Sequence, residues 1–395
     1  MESRADVRLH VLDVLRGIAL LGMFLVHFSY YSSGGGWLGQ AYEKVVAHFF
    51  EERFWAMFGI LFGVGFAIQF RNADAQGSAF LPKYARRMAM LAVFGFIAHG
   101  VFGYNVLLGY AAWGLVLPAV RKWPTSMLLC ALVLSATSAN LYFLARASYS
   151  VAVHGEDRTR AELRRVAAEN RAFAAANEAA QESTDFRTVL AARLQGLPWF
   201  YTQWYSFLPV NTFTLFLLGV IGLRLGLFDQ PDRHRRLISG LMVFGIAAWA
   251  FSEWGPVRTP VEGEPLVREM LLSQLASGFG LIRGMWLAFT YIGVVLLLVA
   301  NDPAWVRRFA VFAWPGRTAL TSYMSQIVIL DLTFAKYAFA ASVTPLGGLA
   351  AGLLLFLANV LFSRWWLRDH LYGPLEWLWR SATYARWQPW HAPEV

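Results

Sequence analysis

Residues 12–31, LDVLRGIALLGMFLVHFSYY, form one apolar run that carries Asp13, Arg16 and His27. A bilayer is crossed by about 20 largely apolar residues, so the run is long enough to span. An ionised group at the centre of such a helix costs about 2.5–3.5 kcal/mol on insertion scales. Asp13 and Arg16 are therefore expected near one membrane face and His27 near the other. At 100° per residue, eleven steps return His27 to within about 20° of Arg16 and separate the two by about 16 Å of axial rise. A polar stripe along an apolar helix marks a candidate functional site.

The rest of the 395-residue chain is built in the same way, with 57% hydrophobic and only 15% charged residues. Soluble domains carry about 25% charge, so the composition indicates a polytopic membrane protein. The formal net charge is +9. The arginines bracket apolar runs, which assigns them to topology and leaves no case for a nucleic-acid partner. The single cysteine, Cys130, lies inside an apolar run and excludes an internal disulfide or a cysteine-based metal cluster. The first run lacks a clear small-residue cleavage site and is expected to stay as a helix.

Ten spans are read, roughly 12–31, 54–70, 86–103, 105–120, 126–145, 207–223, 237–254, 274–299, 318–338 and 347–367, with a tight hairpin around Gly103. The fold expected is all-α, a polytopic integral membrane bundle of about ten transmembrane helices. With the N-terminus in the cytoplasm, the inside segments hold 20 Lys and Arg and the short outside loops hold five. That asymmetry predicts that both termini are cytoplasmic. Three parts follow: membrane helices one to five in 1–145, an extracytoplasmic helical cap in 146–206, and helices six to ten with a cytoplasmic tail in 207–395. The cap sequence is rich in Ala, Glu and Arg, and nothing breaks a helix before Gly196, so one or two helices are expected there. The PWFYTQWYSF segment after it suits a membrane interface. LFGVGFAIQF near residue 61 is echoed by LLGVIGLRLG near residue 217, each followed by a paired-arginine segment. Such an echo would relate parallel rather than inverted units.

Arg16 either snorkels to headgroups and pairs with Asp13, or clamps a phosphate or carboxylate, with Arg86, Arg87, Arg235, Arg236 and Arg317 at the same level as a basic mouth or as topology anchors. His27 and His99 reach the opposite level from different helices. They are either hydrogen-bonded bundle histidines or an acid–base pair, with Asn105 and Tyr110 placed to orient a ring. No metal is expected, since no ligand spacing repeats around them. Thr321 and Gln326, on a polar ninth span, are candidates for a cavity lining, and Asp331 or a bound anion is the candidate partner for Arg283.

These residues carry a family resemblance. DVLRGIALLGMFLVH, RFWAMFGILFGVGF, YARRMAMLAVFGFIAHGVFGYNVLLGYA, WPGRTALTSYMSQIVI and YGPLEWLWRSATYAR resemble the YeiB-like bacterial membrane family, domain of unknown function 418. That family is similar to the transmembrane acyltransferases, which also open with Asp-x-x-Arg-Gly. The resemblance implies location in the bacterial cytoplasmic (inner) membrane. It also implies transfer of an acyl group from cytoplasmic acyl-CoA, acetyl-CoA as the simplest donor, to an extracytoplasmic acceptor such as a sugar or an envelope glycan or lipid. Under it, His27 and His99 are the catalytic pair, and Asp13, Arg16, Arg87, Arg317 and Gln326 bind the donor. YeiB-like chains more usually carry Asn where His27 stands, which favours the acyltransferase reading. Asn105 replaces the aspartate of the family's Gly-Asp-Ile-Leu hairpin, which weakens His99 as a base. Membrane lipids, and a second copy of the chain, are the remaining partners considered. The alternatives are a proton-coupled transporter of an anionic solute or lipid, and a scaffold that presents the cap.

Overall fold

The computed structural model describes residues 4–75, 80–203, 208–254, 265–272 and 283–391. Among these the chain is helical, and its only strand-like pairings are isolated bridges from Ser32 to Val343 and from His370 to His391. Six stretches are long and apolar enough to cross a membrane: His10–Tyr30, Gly36–Ala75, Phe80–Phe102, Thr125–His154, Arg235–Trp254 and Pro345–Trp366. Four shorter apolar helices, Val106–Val120, Thr212–Arg224, Met285–Asn301 and Ala319–Phe334, fall on the other expected spans. The protein is a polytopic helical membrane bundle. Residues 204–207 of the interfacial segment and the stretch 274–282 of the eighth span lie outside the described residues.

The helices used below are α1 (Arg4–Tyr30), α2 (Gly36–Phe49), α3 (Arg53–Ala75), α4 (Phe80–Phe102), α5 (Val106–Gly114), α6 (Leu117–Val120), α7 (Thr125–His154), α8 (Glu156–Gln181), α9 (Phe186–Gln203), α10 (Leu208–Arg224), α11 (Arg235–Trp254), α12 (Arg283–Asn301), α13 (Ala304–Arg308), α14 (Ala310–Arg317), α15 (Ala319–Phe334), α16 (Pro345–Trp366) and α17 (Pro374–Tyr384). Helix α1 is the central post. Leu15, Ala19, Leu20 and Phe24 on it are fully buried, and it packs on α14, α16 and α3.

Close approach is set by glycine, as expected where lipid offers little hydrophobic drive between helices. A Cβ on Gly17 would overlap the Phe312 carbonyl, and one on Gly316 would overlap that of Asp13, so α1 and α14 touch backbone to backbone. The sequence echo has a spatial counterpart. Gly63 and Gly219, its matching glycines, meet each other, and Arg71 pairs with Asp229 at 2.7 Å further along. The two copies therefore lie side by side and parallel.

The cap departs from expectation in its boundaries. The fifth membrane helix does not stop at 145 but runs to His154, where Gly155 turns the chain at φ 83. The cap is two helices, and the break falls at Ser183–Asp185 rather than at Gly196. Asp185 accepts from the backbone N–H groups of Arg187 and Thr188 and from the Thr188 hydroxyl, an N-cap that starts α9. Helix α9 then continues through both Gly196 and Pro198.

Candidate functional site

Two cavities lie end to end along α1. The first, about 310 Å³, is lined by Arg16 and Met23 of α1, Arg87 of α4, Arg317 of α14, and Glu376, Trp379 and Arg380 of α17, with Tyr84, Tyr110 and Tyr323 among its aromatic walls. The second, about 240 Å³, is lined by His27, Tyr30, Phe50, Glu51, Glu52 and Phe54. Met23, Trp55 and Val106 line both, so one thin partition of three side chains stands between them. The stripe read from α1 thus places Arg16 on one cavity and His27 on the next.

Four guanidinium groups face the first cavity. Arg16 pairs with Asp13 at 2.9 Å, and Asp13 also lies within the field of Arg317. Arg87 stacks on the Trp379 ring at 3.9 Å, while the Trp379 indole N–H donates to the Arg87 carbonyl at 2.8 Å. Arg380 lies over the Tyr372 ring at 4.3 Å, and its Nε is buried without a hydrogen-bond partner. The one carboxylate lining this cavity, Glu376, is spent on protein groups. It accepts from the backbone N–H of Leu320 at 2.6 Å and of Thr321 at 3.1 Å, and from the Thr321 hydroxyl at 2.6 Å. It thereby caps α15, where the helix dipole favours a negative charge. Burial pushes its carboxyl above the usual range, against the pull of those hydrogen bonds. The charge left facing the cavity is positive, and guanidinium groups suit phosphate or carboxylate oxygens.

The second cavity is acidic and aromatic. Tyr30 donates to Glu51 at 3.0 Å, and the His27 ring sits 5.0 Å from that of Tyr104. Its acidic loop is held from behind by Arg53, which is 0% exposed. Arg53 donates to the carbonyls of His48, at 2.9 Å, and Glu51, and contacts Glu253 at 3.3 Å. Glu52 is kept at φ 65, a left-handed conformation costing a non-glycine residue on the order of 1–3 kcal/mol.

The remaining site candidates are distributed unevenly. Tyr110 lies on the first cavity, and its hydroxyl donates to the Trp55 carbonyl at 3.2 Å, so it steadies the partition rather than His99. Gln326 lines neither cavity. It is fully buried and donates from Nε2 to the Met23 carbonyl at 3.2 Å. His99 also lines neither, and its Nε2–H donates to the Arg193 carbonyl at 2.8 Å. Asn105 takes the N-cap position of α5 without a side-chain cap bond and is on neither cavity wall. Asp331, one of the two candidates for pairing Arg283, pairs with Arg193 of the cap at 2.7 Å and accepts from the Tyr337 hydroxyl. The side chain of Arg283 lies outside the described residues.

Glu376, Trp379 and Arg380 were not singled out from sequence as site residues. Their segment stood out only as a long motif rich in rare residues, YGPLEWLWRSATYAR, assigned to a tail. The sequence gives no local sign that it folds back under α4 and α15, which is where Arg86 bonds the Thr383 carbonyl at 3.0 Å.

Residues 8–221 match the family described as "Heparan-alpha-glucosaminide N-acetyltransferase, catalytic". Residues 223–386 match DUF418, a "Protein of unknown function". "Uncharacterized protein YxaH" of Bacillus subtilis (strain 168) is 27% identical over 97% of this chain and 96% of its own length. An "Uncharacterized 39.9 kDa protein in amylase 3'region" of Bacillus acidopullulyticus is 26% identical over 96% of this chain and 95% of its own. "Uncharacterized protein YeiB" of Escherichia coli (strain K12) is 43% identical over 17% of this chain and 18% of its own.

Proposed function

Because the chain belongs to the family described as "Heparan-alpha-glucosaminide N-acetyltransferase, catalytic", which covers residues 8–221, we propose that it moves an acyl group from acyl-CoA to an acceptor on the far side of the membrane. The observation that carries this reading is the pair of cavities sharing Met23, Trp55 and Val106. A donor whose phosphates meet Arg16, Arg87, Arg317 and Arg380 would direct its thioester arm toward the partition, and the rise from Arg16 to His27, about 16 Å, is comparable to an extended pantetheine arm. The excess of Lys and Arg on the segments read as inside supports a cytoplasmic donor cavity and cytoplasmic termini. In this reading the protein sits in a bacterial inner membrane.

His27 is the proposed base. It takes the proton of an acceptor hydroxyl or amine as that oxygen or nitrogen attacks the thioester carbonyl. The new C–O or C–N bond forms, the C–S bond breaks, and His27 returns the proton to the departing thiolate. Such a base contributes typically about 10²–10⁴-fold. Acidic and aromatic walls on the second cavity suit a polar acceptor, with a sugar or an envelope glycan or lipid as the proposed class. His99 is given a different part, since its ring N–H holds the cap through the Arg193 carbonyl.

Calorimetry of the purified protein with acetyl-CoA tests the donor site. Saturable binding that Arg16→Ala removes supports the reading. No binding, together with pH-driven uptake of an anionic solute into proteoliposomes, would replace it with transport.

A further inference from the structure

Gln326 sits between α15 and the polar stripe of α1, and its two amide atoms have different surroundings. Nε2 donates to the carbonyl of Met23 at 3.2 Å. Met23 precedes His27 by four residues, so this is the carbonyl that ordinarily receives the His27 backbone N–H in a helix. A carbonyl oxygen only accepts, which fixes the amide: the NH₂ group must face Met23, and Oε1 must face away from it. His27 lies one turn beyond Met23 on the same face of α1, and its side chain interacts with that of Gln326. His27 Nδ1 and Gln326 Oε1 are both sealed from solvent, and each is left without a hydrogen-bond partner, so two complementary polar atoms stand unsatisfied in one region of the bundle.

We propose that Gln326 is a positioning residue that sets the tautomer of His27. Gln326 Oε1 is an acceptor only, so satisfying these two atoms on each other requires that His27 Nδ1 carry the hydrogen. In the neutral ring this puts the proton on Nδ1 and the lone pair on Nε2, the nitrogen left for the second cavity that His27 lines. The role assigned to Gln326 from sequence, donor binding, is thereby replaced by orientation of the base from behind. The hook on Met23 adds register. Met23 belongs to the partition, so the same amide ties the orientation of the imidazole to the wall between the cavities. The tautomer rests on the pairing of these two unsatisfied atoms, whereas use of the Nε2 lone pair as a base rests on the acyltransferase reading above.

The test is nitrogen NMR of the full-length protein, labelled with ¹⁵N-histidine and held in lipid nanodiscs, with the His27 signals identified by their loss in His27→Asn. The parent should show His27 with a protonated Nδ1 and an unprotonated Nε2. Gln326→Leu, similar in size but without an acceptor, should shift the population toward the Nε2–H form. Gln326→Glu keeps an acceptor and should retain Nδ1–H. A parent His27 protonated on Nε2 would overturn the proposal, as would an unchanged tautomer in Gln326→Leu. If Gln326→Leu fails to fold, the parent spectrum alone decides. A parallel arm follows acetyl-CoA turnover. Gln326→Leu should lower kcat by about 10- to 100-fold, the scale of losing an imidazole's orienting partner, with KM for acetyl-CoA unchanged. An Nδ1–H signal in a parent that turns over no acetyl-CoA counts against the acyltransferase reading and leaves the tautomer assignment standing.

Discussion

Glu376 and Thr321 are joined twice: the carboxylate accepts the Thr321 backbone N–H at 3.1 Å and its hydroxyl at 2.6 Å. This contact binds α17 to the start of α15 and closes the arginine-lined cavity from below. It also satisfies the one carboxylate on that wall without using any of the four guanidinium groups, so their charge still faces the cavity.

That burial has a pH consequence. The Glu376 carboxyl is raised above its usual value of 4.5, chiefly by desolvation. The folded protein therefore binds more protons than the unfolded chain between the two values, and the Glu376 contribution to stability falls as pH rises through that window. Glu376→Gln removes the titration. Thermal unfolding in detergent from about pH 5 to about pH 8 should show the parent losing stability relative to Glu376→Gln as pH rises. A difference independent of pH would contradict the assignment.

The guanidinium cluster predicts additive-looking losses in donor affinity. A hydrogen bond to a charged group is worth about 1.5–3 kcal/mol, so each of Arg87→Ala, Arg317→Ala and Arg380→Ala should weaken acetyl-CoA binding roughly 10- to 100-fold. Arg380→Lys should not recover it, because an ammonium cannot reproduce the planar fork or its place over Tyr372. Calorimetry at two salt concentrations reads both effects. Unchanged affinity in all three alanine variants would empty the cavity of its proposed ligand.

Much of the bundle was legible because hydropathy is local. Over its described residues each apolar run became an apolar helix, and arithmetic on α1 alone put Arg16 and His27 on one face about 16 Å apart. The echo around Gly63 and Gly219 was legible as sequence, but that the two glycines would touch was not. What escaped depends on long-range partners. Arg193 and Asp331 are 138 residues apart, and the polar content of α17 reads as a tail until its packing under α4 is seen. In the cap, Asp185 starts the second helix by capping, a stronger local signal than Gly196, which that helix absorbs.

The glycine contacts predict sharply different outcomes for one substitution type. Gly17→Leu or Gly63→Leu would drive a side chain into the backbone of α14 or α10 and should abolish the folded, monodisperse protein. Gly240 on α11 has nothing within 4 Å of an added Cβ. Gly240→Ala should be neutral or stabilising by about 0.4–1 kcal/mol. Size-exclusion profiles and melting curves of the three variants check this, and a well-folded Gly17→Leu protein would refute the backbone contact.

His99 and Arg193 predict a loss of cap docking rather than of chemistry. The Arg193–Asp331 pair is buried on both sides. Arg193→Ala leaves Asp331 without its cation, a change that costs about 3–5 kcal/mol in comparable buried pairs. His99→Ala removes a single hydrogen bond of about 0.5–1.5 kcal/mol. Limited proteolysis should open α8 and α9 readily in Arg193→Ala and slightly in His99→Ala, with acetyl transfer by His99→Ala close to the parent. Loss of transfer in a folded, protease-resistant His99→Ala protein would return His99 to the catalytic pair.

In the proposed reaction an acyl group passes from the arginine-lined cavity to an acceptor beside His27. Bacterial membrane vesicles containing the protein, given radiolabelled acetyl-CoA on the cytoplasmic face, test it directly through label recovered covalently in envelope glycan and lipid. The account predicts incorporation by the parent and a fall of about 10²–10⁴-fold in His27→Ala, whose purified form still binds acetyl-CoA with parental affinity. Equal incorporation by His27→Ala and the parent would contradict it.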